Sequence, residues 1–229
     1  PMPGTVRILS LDGGGIRGLI PATALGRIAD ALNIPGGAFA SRFHLVAGTS
    51  TGGIMAAGLC APAGQRQGPA ELVDLYVTHG AAIFPPGAWA ARNPLTDAKY
   101  DPAPLEALLD ARLGQSQLSE AAPELMITAW DLERARPKLF CSWRARHASA
   151  EDYYLRDAAR ATSAAPTYFP PAEIQALDAN YDPAQRRSVL TDGGVFANDP
   201  AALALAEARR LFPAADRALV LSLGTGARV

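Results

Sequence analysis

Residues 43–60 read FHLVAGTSTGGIMAAGLC, which joins an apolar run, a glycine turn and a stretch of small residues. The apolar run Phe43–Ala47 has the length of a strand, and the small residues from about 54 to 60 predict a helix. Between them, Gly48-Thr49-Ser50-Thr51-Gly52 fits the nucleophile-elbow pattern G-x-S-x-G. In that pattern a sharp strand-to-helix turn lifts the serine hydroxyl above the sheet edge, and the glycines permit the strained backbone. The alternative is a glycine turn that carries an inert serine.

The same strand–turn–helix order opens the chain. Val6–Leu11 predicts a buried strand, Asp12-Gly13-Gly14-Gly15 a turn, and Ile16–Leu32 a helix. Two such units in succession favour a parallel sheet covered by helices. We therefore expect one α/β domain over residues 1–229, with a mostly parallel central sheet and helices on both faces.

Shorter patterns continue this alternation along the chain. Helices are predicted over 69–82, 102–112, 155–162 and 200–211, and strands over 125–131, 138–143, 188–191 and 218–223. Residues 83–100 and 172–187 are predicted to be long connections, which in α/β enzymes often rim the site. Within the first of them, the apolar residues 83–91 form either a loop folded over the core or an interfacial contact through Phe84 and Trp89.

The composition excludes several classes of protein and partner. With 49% hydrophobic and 19% charged residues, the chain can build a sizeable core and is neither collagen-like, mucin-like nor disordered. Its 21 basic and 22 acidic side chains give a net charge of −1, so no nucleic acid polymer is expected as a partner. The composition, rich in Ala, Arg and Pro, suggests a bacterium with GC-rich DNA.

The cysteines and the chain start point to a soluble cytoplasmic protein. Cys60 and Cys141 match neither a disulfide framework nor a zinc spacing, which favours buried thiols in a reducing compartment. No signal peptide is visible, and the uncharged residues 43–65 contain too many glycines for a membrane span. No group of His, Cys and carboxylate residues at ligand spacing indicates a metal, and no cofactor is expected.

The glycines Gly13-x-Gly15-x-x-Gly18 support two interpretations. A dinucleotide fingerprint needs an acidic residue at the end of the next strand, but residues 33–48 contain no Asp or Glu. The alternative is an anion nest, in which amides at a helix start hold an ester oxyanion or a phosphate. Arg17 adds positive field to this nest or pairs on the surface.

A serine nucleophile needs a base, and the chain has three histidines, His44, His79 and His147. The Ser…Asp…His order of α/β-hydrolases requires a late histidine, so that triad is excluded. Asp192 ends a predicted strand and precedes Gly193-Gly194. Because the carboxyl ends of parallel strands meet at one sheet edge, Asp192 and Ser50 could meet there. The alternative for Asp192 is a plain Asp-Gly-Gly turn.

Five segments spread over nearly the whole chain form a joint pattern. In chain order they are Asp12-Gly13-Gly14-Gly15-Ile16-Arg17-Gly18, Gly48-Thr49-Ser50-Thr51-Gly52-Gly53, Ala161-Thr162-Ser163-Ala164-Ala165-Pro166, Asp192-Gly193-Gly194 and Leu221-Ser222-Leu223-Gly224-Thr225-Gly226. Together they resemble the patatin-like phospholipases. The resemblance implies a fold related to cytosolic phospholipase A2, a Ser50–Asp192 dyad, and an oxyanion hole at Gly13, Gly14 and Gly15 beside Arg17.

The resemblance also implies a reaction and a substrate class. Ser50 attacks an acyl ester of a phospholipid, lysophospholipid or neutral lipid. Transient contact with a membrane surface is the expectation that the interfacial interpretation of residues 83–91 adds. Asp192 accepts the serine proton, and water then hydrolyses the acyl-enzyme. Members commonly continue beyond the last segment, so we expect a C-terminal part to be missing after Val229. The sequence does not identify a regulatory nucleotide or a partner protein. The alternatives to a lipid acyl hydrolase are a nucleotide-binding protein that uses Gly13–Gly18 and a non-catalytic binding module.

Overall fold

The computed structural model describes residues 4–87, 98–178, 180 and 182–226. Seven strands form one sheet in these residues: β1 Thr5–Leu11, β2 Leu45–Thr49, β3 Glu124–Asp131, β4 Arg136–Cys141, β5 Ala172–Gln175, β6 Arg187–Asp192 and β7 Arg217–Leu223. The helices are α1 Leu19–Ala31, α2 Thr51–Cys60, α3 Pro69–Ile83, α4 Ala103–Leu113, α5 Ser142–Ala145, α6 Leu155–Thr162, α7 Pro183–Arg186, α8 Gly194–Ala197 and α9 Ala201–Leu211. Single 3₁₀ turns lie at Gly15–Gly18, Gly36–Ala38, Ala40–Arg42, Leu118–Glu120 and Ser149–Glu151.

Helices cover both faces of the sheet, as the sequence predicts. On one face, Leu9 and Val46 belong to a large apolar core that includes the apolar side chains of α2, a helix buried along its length. On the other face, Ile8 and Leu45 pack with Ala204 of α9 in a second, smaller core. The alternation along β1 and β2 follows the two-residue period of a strand, which sends successive side chains to opposite faces. The α/β class is thereby confirmed.

The sheet is mixed rather than mostly parallel. Strands β3, β2, β1 and β7 pair in parallel, in that order across the sheet. Strands β4 and β6 both pair with β3 in the antiparallel direction, and β5 pairs antiparallel with β6. A short polar turn joins β3 to β4, and such a hairpin can only produce antiparallel neighbours.

Strands β2 and β6 lie end to end along the same edge of β3. Strand β2 pairs with β3 as far as Thr49 opposite Thr128, and β6 pairs with it from Asp192 opposite Ala129 onward. Because β4 occupies the other edge of β3 over both stretches, β2 and β6 share the remaining edge. They run toward each other, so their carboxyl ends meet at adjacent rungs of β3.

The connection predicted over 172–187 contains two elements that the sequence did not predict, β5 and the short helix α7. Strand β5 has only four residues, with alternating buried and exposed side chains, which is too short a pattern to identify in a sequence. In the other predicted connection, Phe84 packs edge-on against Tyr100, at 5.5 Å between ring centroids, and against Phe169, at 6.1 Å. That packing fits a loop folded over the core, while Trp89 lies outside the described residues.

Both cysteines are free and buried, as expected. Within the described ranges, the structure contains no helix with the length and apolar character that crossing a membrane requires.

Candidate active site

Ser50 occupies the turn between β2 and α2 with a strained backbone. Its φ of 55° and ψ of −126° lie in a backbone region that residues other than glycine rarely adopt. Helix α2 begins at the next residue, so the unpaired amides of its first turn bring positive potential close to the Ser50 hydroxyl. The predicted elbow is therefore present. Strand β2 runs to Thr49, two residues beyond the predicted end, and α2 starts at Thr51, about three residues before the predicted start.

The two glycines of the elbow are required because neighbouring backbone atoms approach them too closely to leave room for a side chain. A Cβ on Gly48 would lie 2.2 Å from the carbonyl oxygen of Gly52, and a Cβ on Gly52 would lie 2.1 Å from the carbonyl oxygen of Leu11. Neither distance is compatible with any side chain, so β2, α2 and the end of β1 pack together only with glycine at these positions.

Asp192 ends β6 beside Ser50, for a reason other than the one the sequence suggested. We expected the carboxyl ends of parallel strands to converge, but β6 is antiparallel to β3 and meets β2 head-on. The carboxylate of Asp192 is buried, with 3% of the residue exposed, and its Oδ1 accepts a hydrogen bond from Gly194 N–H at 2.7 Å. Gly193 lies between them and packs against Thr128 of β3.

Burial raises the pKa of Asp192 to about 6, while contacts with the Ser50 hydroxyl and the Gly194 amide oppose this rise. The contact between the Ser50 hydroxyl and the Asp192 carboxylate falls short of ordinary hydrogen-bond geometry. Accordingly, Oδ2 of Asp192 is buried without a hydrogen-bond partner among the described residues. Catalytic hydrogen bonds are often long without substrate and tighten in the reacting complex. A desolvated carboxylate with a raised pKa facing a serine hydroxyl is suited to general-base chemistry.

Residues 161–166 bind the backbone amides of both Ser50 and Asp192. Thr162 Oγ1 accepts the backbone N–H of Ser50 at 2.8 Å. Two residues later, the carbonyl of Ala164 accepts the N–H of Asp192 at 3.0 Å and the hydroxyl of Thr191 at 2.6 Å. The segment therefore links the end of β2 to the end of β6, which explains a motif whose role the sequence left open.

The glycine loop lies against Ser50, but its three amides are not equivalent. Gly13 is close enough that a Cβ on it would lie 3.1 Å from Ser50 Cβ. Its N–H already donates to the carbonyl of Asn198 at 3.1 Å, so it is not free to bind an oxyanion. The amides of Gly14 and Gly15 have no acceptor among the described residues, and Gly15 has the left-handed φ of 57°.

The neighbours of this loop limit its substitution. Gly18 closes the 3₁₀ turn and packs against Thr51 and Tyr76, with no room for a side chain. A Cβ on Gly14 would lie 2.2 Å from Thr225 Oγ1, so a larger residue at Gly14 would displace Thr225. The Arg17 guanidinium is exposed and donates to the carbonyl of Gly226 at 3.2 Å, which is the surface pairing considered above.

A second acidic group lies behind the glycine loop. Burial, and to a lesser extent repulsion from Asp199, raises the pKa of Asp12 to about 6. Asp199 Oδ1 accepts the N–H of Ala201, the first residue of α9, at 2.9 Å. The edge of the sheet that carries Ser50 thus holds two carboxyl groups that titrate well above their ordinary range.

None of the three histidines has a hydrogen bond to Ser50 or Asp192 in the part of the chain that the structure describes. His44 precedes β2, and its Nδ1 accepts the N–H of Arg7 at 2.9 Å. Burial and the Arg7 charge lower the pKa of His44. His79 lies near the end of α3 and His147 on an exposed turn.

Sequence reasoning missed Asn198. It contacts Gly13 through both its backbone carbonyl and its side chain, and its Oδ1 lies close to Gly194. The available signal was its place six residues after Asp192 and two residues before the helix predicted over 200–211.

The chain is similar to known proteins over most of its length. A family model described as Patatin-like phospholipase matches residues 9–205. The chain is 38% identical to "Patatin-like protein 2" of Arabidopsis thaliana, in an alignment that covers 96% of this chain and 60% of that protein. It is 34% identical to "Probable inactive patatin-3-Kuras 1" of Solanum tuberosum, covering 96% of this chain and 62% of that protein.

These relatives are considerably longer than the regions the chain matches, so the chain spans about three fifths of their length. Both are plant proteins, and the bacterial origin stays a prediction. The chain is also similar to a solved structure titled "Crystal structure of VipD from Legionella pneumophila", with a TM-score of 0.48 and 10% identity. That similarity covers 84% of this chain and 46% of that one.

Proposed function

The chain belongs to the patatin-like phospholipase family, and from this membership we propose that it is a serine lipid acyl hydrolase. Its substrates are fatty-acyl esters of phospholipids or lysophospholipids, so the activity is of the phospholipase A or lysophospholipase type. The observation that carries the proposal is the pairing of a strained serine at an elbow with a buried carboxylate whose pKa is about 6. Above that pH the carboxylate is ionised and able to accept a proton.

The proposed reaction uses Ser50, Asp192 and the glycine loop in sequence. Ser50 Oγ attacks the ester carbonyl carbon as its proton passes to the Asp192 carboxylate. We assign the oxyanion to the amides of Gly14 and Gly15, because the Gly13 amide is already bonded to Asn198. Protonated Asp192 then returns its proton to the leaving alcohol, which leaves an acyl group on Ser50.

The second half of the reaction reverses these roles. Water loses a proton to the Asp192 carboxylate and attacks the acyl carbonyl, and the same amides hold the new oxyanion. Collapse releases the fatty acid and returns the proton to Ser50. Family membership favours this chemistry over nucleotide binding at Gly13–Gly18, which the sequence alone left open.

A fluorophosphonate ester tests the nucleophile, since it forms a covalent adduct with an activated serine. We expect one adduct, on Ser50, detected by peptide mass spectrometry. Ser50→Ala should not be labelled and should lose at least about 10³-fold in kcat, as should Asp192→Asn, and the double variant should lose little more. Mass spectrometry of products from mixed lipids then identifies the bond cleaved.

Two variants serve as matched controls. Ser41→Ala removes an exposed serine on the surface, and His44→Gln removes a histidine distant from the site. Both should keep kcat/KM within about tenfold, the scale of indirect packing effects. Labelling that persists in Ser50→Ala would contradict the assignment. Folded wild-type protein that is not labelled and does not hydrolyse lipid would favour the binding-module alternative. The name "Probable inactive patatin-3-Kuras 1" of the Solanum tuberosum relative is consistent with such an alternative.

A further inference from the structure

The peptide group between Gly13 and Gly14 is held by two elements distant in sequence. The carbonyl oxygen of Gly13 accepts a hydrogen bond from Thr225 Oγ1 at 2.8 Å and one from Asn198 Nδ2 at 3.3 Å. The Gly13 N–H donates in turn to the backbone carbonyl of Asn198 at 3.1 Å. Thr225 is buried, with 5% of the residue exposed, and its side chain packs directly against Gly14.

These contacts determine where the Gly14 amide points. A peptide group is planar and trans, so the N–H of Gly14 is directed away from the carbonyl oxygen of Gly13. Fixing that carbonyl toward Thr225 and Asn198 therefore directs the Gly14 N–H to the opposite side of the loop. Among the described residues this N–H has no acceptor, so it is free to donate to a bound oxyanion.

Without such anchors, the orientation of this peptide would be poorly determined. Glycine adopts positive and negative φ about equally readily, and this peptide has a glycine on each side. A flip would turn the Gly14 N–H toward Thr225 and the Gly13 carbonyl toward the place where the amide had been. In the flipped orientation the Gly13 carbonyl oxygen would face the developing oxyanion and repel it, whereas in the observed orientation the Gly14 N–H stabilises it.

We infer that Asn198 and Thr225 are positioning residues that lock the Gly13–Gly14 peptide in the orientation that presents the Gly14 amide to the oxyanion. This inference rests on the proposed function, since it assigns these residues to the oxyanion hole of that same site. Asn198 follows Asp192 by six residues, with α8 between them, and Thr225 follows β7. The general base and the oxyanion hole are thereby joined through one short connection.

Thr225→Val tests the inference, because it keeps the shape of the side chain and removes only the donor. We expect kcat to fall about 10²-fold with KM within threefold of wild type, since a lost oxyanion donor acts mainly on the transition state. Thr225→Ser restores the hydroxyl and should recover kcat to within about fivefold of wild type. Asn198→Ala should lower kcat less than Thr225→Val, because its hydrogen bond is longer.

Thr23→Val is the matched control, because its hydroxyl donates only to Leu19 O within its own helix. It should leave kcat and KM unchanged. If Thr225→Val does not fold, Thr225→Ala removes the hydroxyl without adding bulk and takes its place.

Crystal structures provide a readout that does not depend on activity. We expect the Gly13–Gly14 peptide to be flipped in Thr225→Val and in the wild-type orientation in Thr225→Ser. An unflipped peptide in Thr225→Val, or equal losses of kcat in Thr225→Val and Thr225→Ser, would overturn the inference. If the wild-type protein neither labels nor hydrolyses esters, the proposed function fails, and the peptide orientation in these two structures still decides the present inference.

Discussion

At the scale of single residues, Ser50 combines a reactive position with an unfavourable backbone. Its left-handed φ of 55° carries a cost that glycine would not incur. Ser50→Gly and Ser50→Ala both remove the proposed nucleophile, but only the glycine relieves this strain. We expect Ser50→Gly to be more stable than Ser50→Ala by about 1 kcal/mol in urea unfolding.

An exposed serine shows whether this difference is specific to the elbow. Ser41 lies in a 3₁₀ turn and is absent from the positive-φ residues of the described chain. There Ser41→Gly should be less stable than Ser41→Ala, because glycine only adds flexibility to the unfolded chain. The same order of stability at both serines would contradict strain at Ser50.

Asp192 should make activity and stability respond to pH in opposite directions. Its pKa is raised from 3.8 to about 6 in the folded protein, so folding favours the protonated form. Stability from this group is present below pH 4 and is lost as pH rises through 6, whereas the ionised carboxylate that the proposed general-base role requires appears over that range. The free energy of unfolding of Asp192→Asn, relative to that of wild type, should therefore increase by about 3 kcal/mol between pH 4 and pH 8.

Differential scanning calorimetry across this pH range measures that gain. The comparison with wild type isolates Asp192, because Asp12 titrates in both proteins. In parallel, kcat/KM of the wild type should rise through an apparent pKa near 6. A stability difference between the two proteins that stays constant with pH would contradict a buried, proton-retaining carboxylate.

At the scale of elements, the start of α2 is joined to β1 and β2 by glycine contacts. Gly52→Ala would place its Cβ 2.1 Å from the Leu11 carbonyl oxygen, so it should destabilise the fold by at least about 2 kcal/mol. Gly26→Ala in α1 is the matched control, because nothing lies within 4 Å of its added Cβ. It should stabilise the protein by about 0.5–1 kcal/mol through helix propensity. Guanidinium unfolding distinguishes these outcomes, and equal stability of the two variants would contradict the close packing.

At the scale of the whole molecule, the two thiols report on the integrity of the fold. Cys60 and Cys141 are almost completely inaccessible, and burial raises the pKa of both, that of Cys141 to about 12. Alkylation needs an exposed thiolate, so neither should react with iodoacetamide in the native protein at pH 8. Both should react together across the unfolding transition, as followed by mass spectrometry. Reaction of one thiol at low denaturant would contradict this expectation and would show that α2 or β4 opens separately.

The sequence by itself was sufficient for the parts of the molecule that local pattern controls. The elbow around Ser50 and the glycine turn after β1 were predictable, because apolar runs, small residues and glycines act within a few positions. The helix predicted over 155–162 coincides with α6 for the same reason. The joint motif pattern also predicted the family, although it did not explain what each segment does.

Only the tertiary structure decided how the site is assembled. The direction of β6, the bond that occupies the Gly13 amide, and the contacts of Asn198 and Thr225 all depend on partners far away in the chain. The apolar pattern of a strand reports which of its faces are buried and not the direction of its neighbour, so β6 could be located but not oriented. Backbone hydrogen bonds between distant segments likewise leave no local trace in the sequence, because every residue except proline offers the same donor and acceptor.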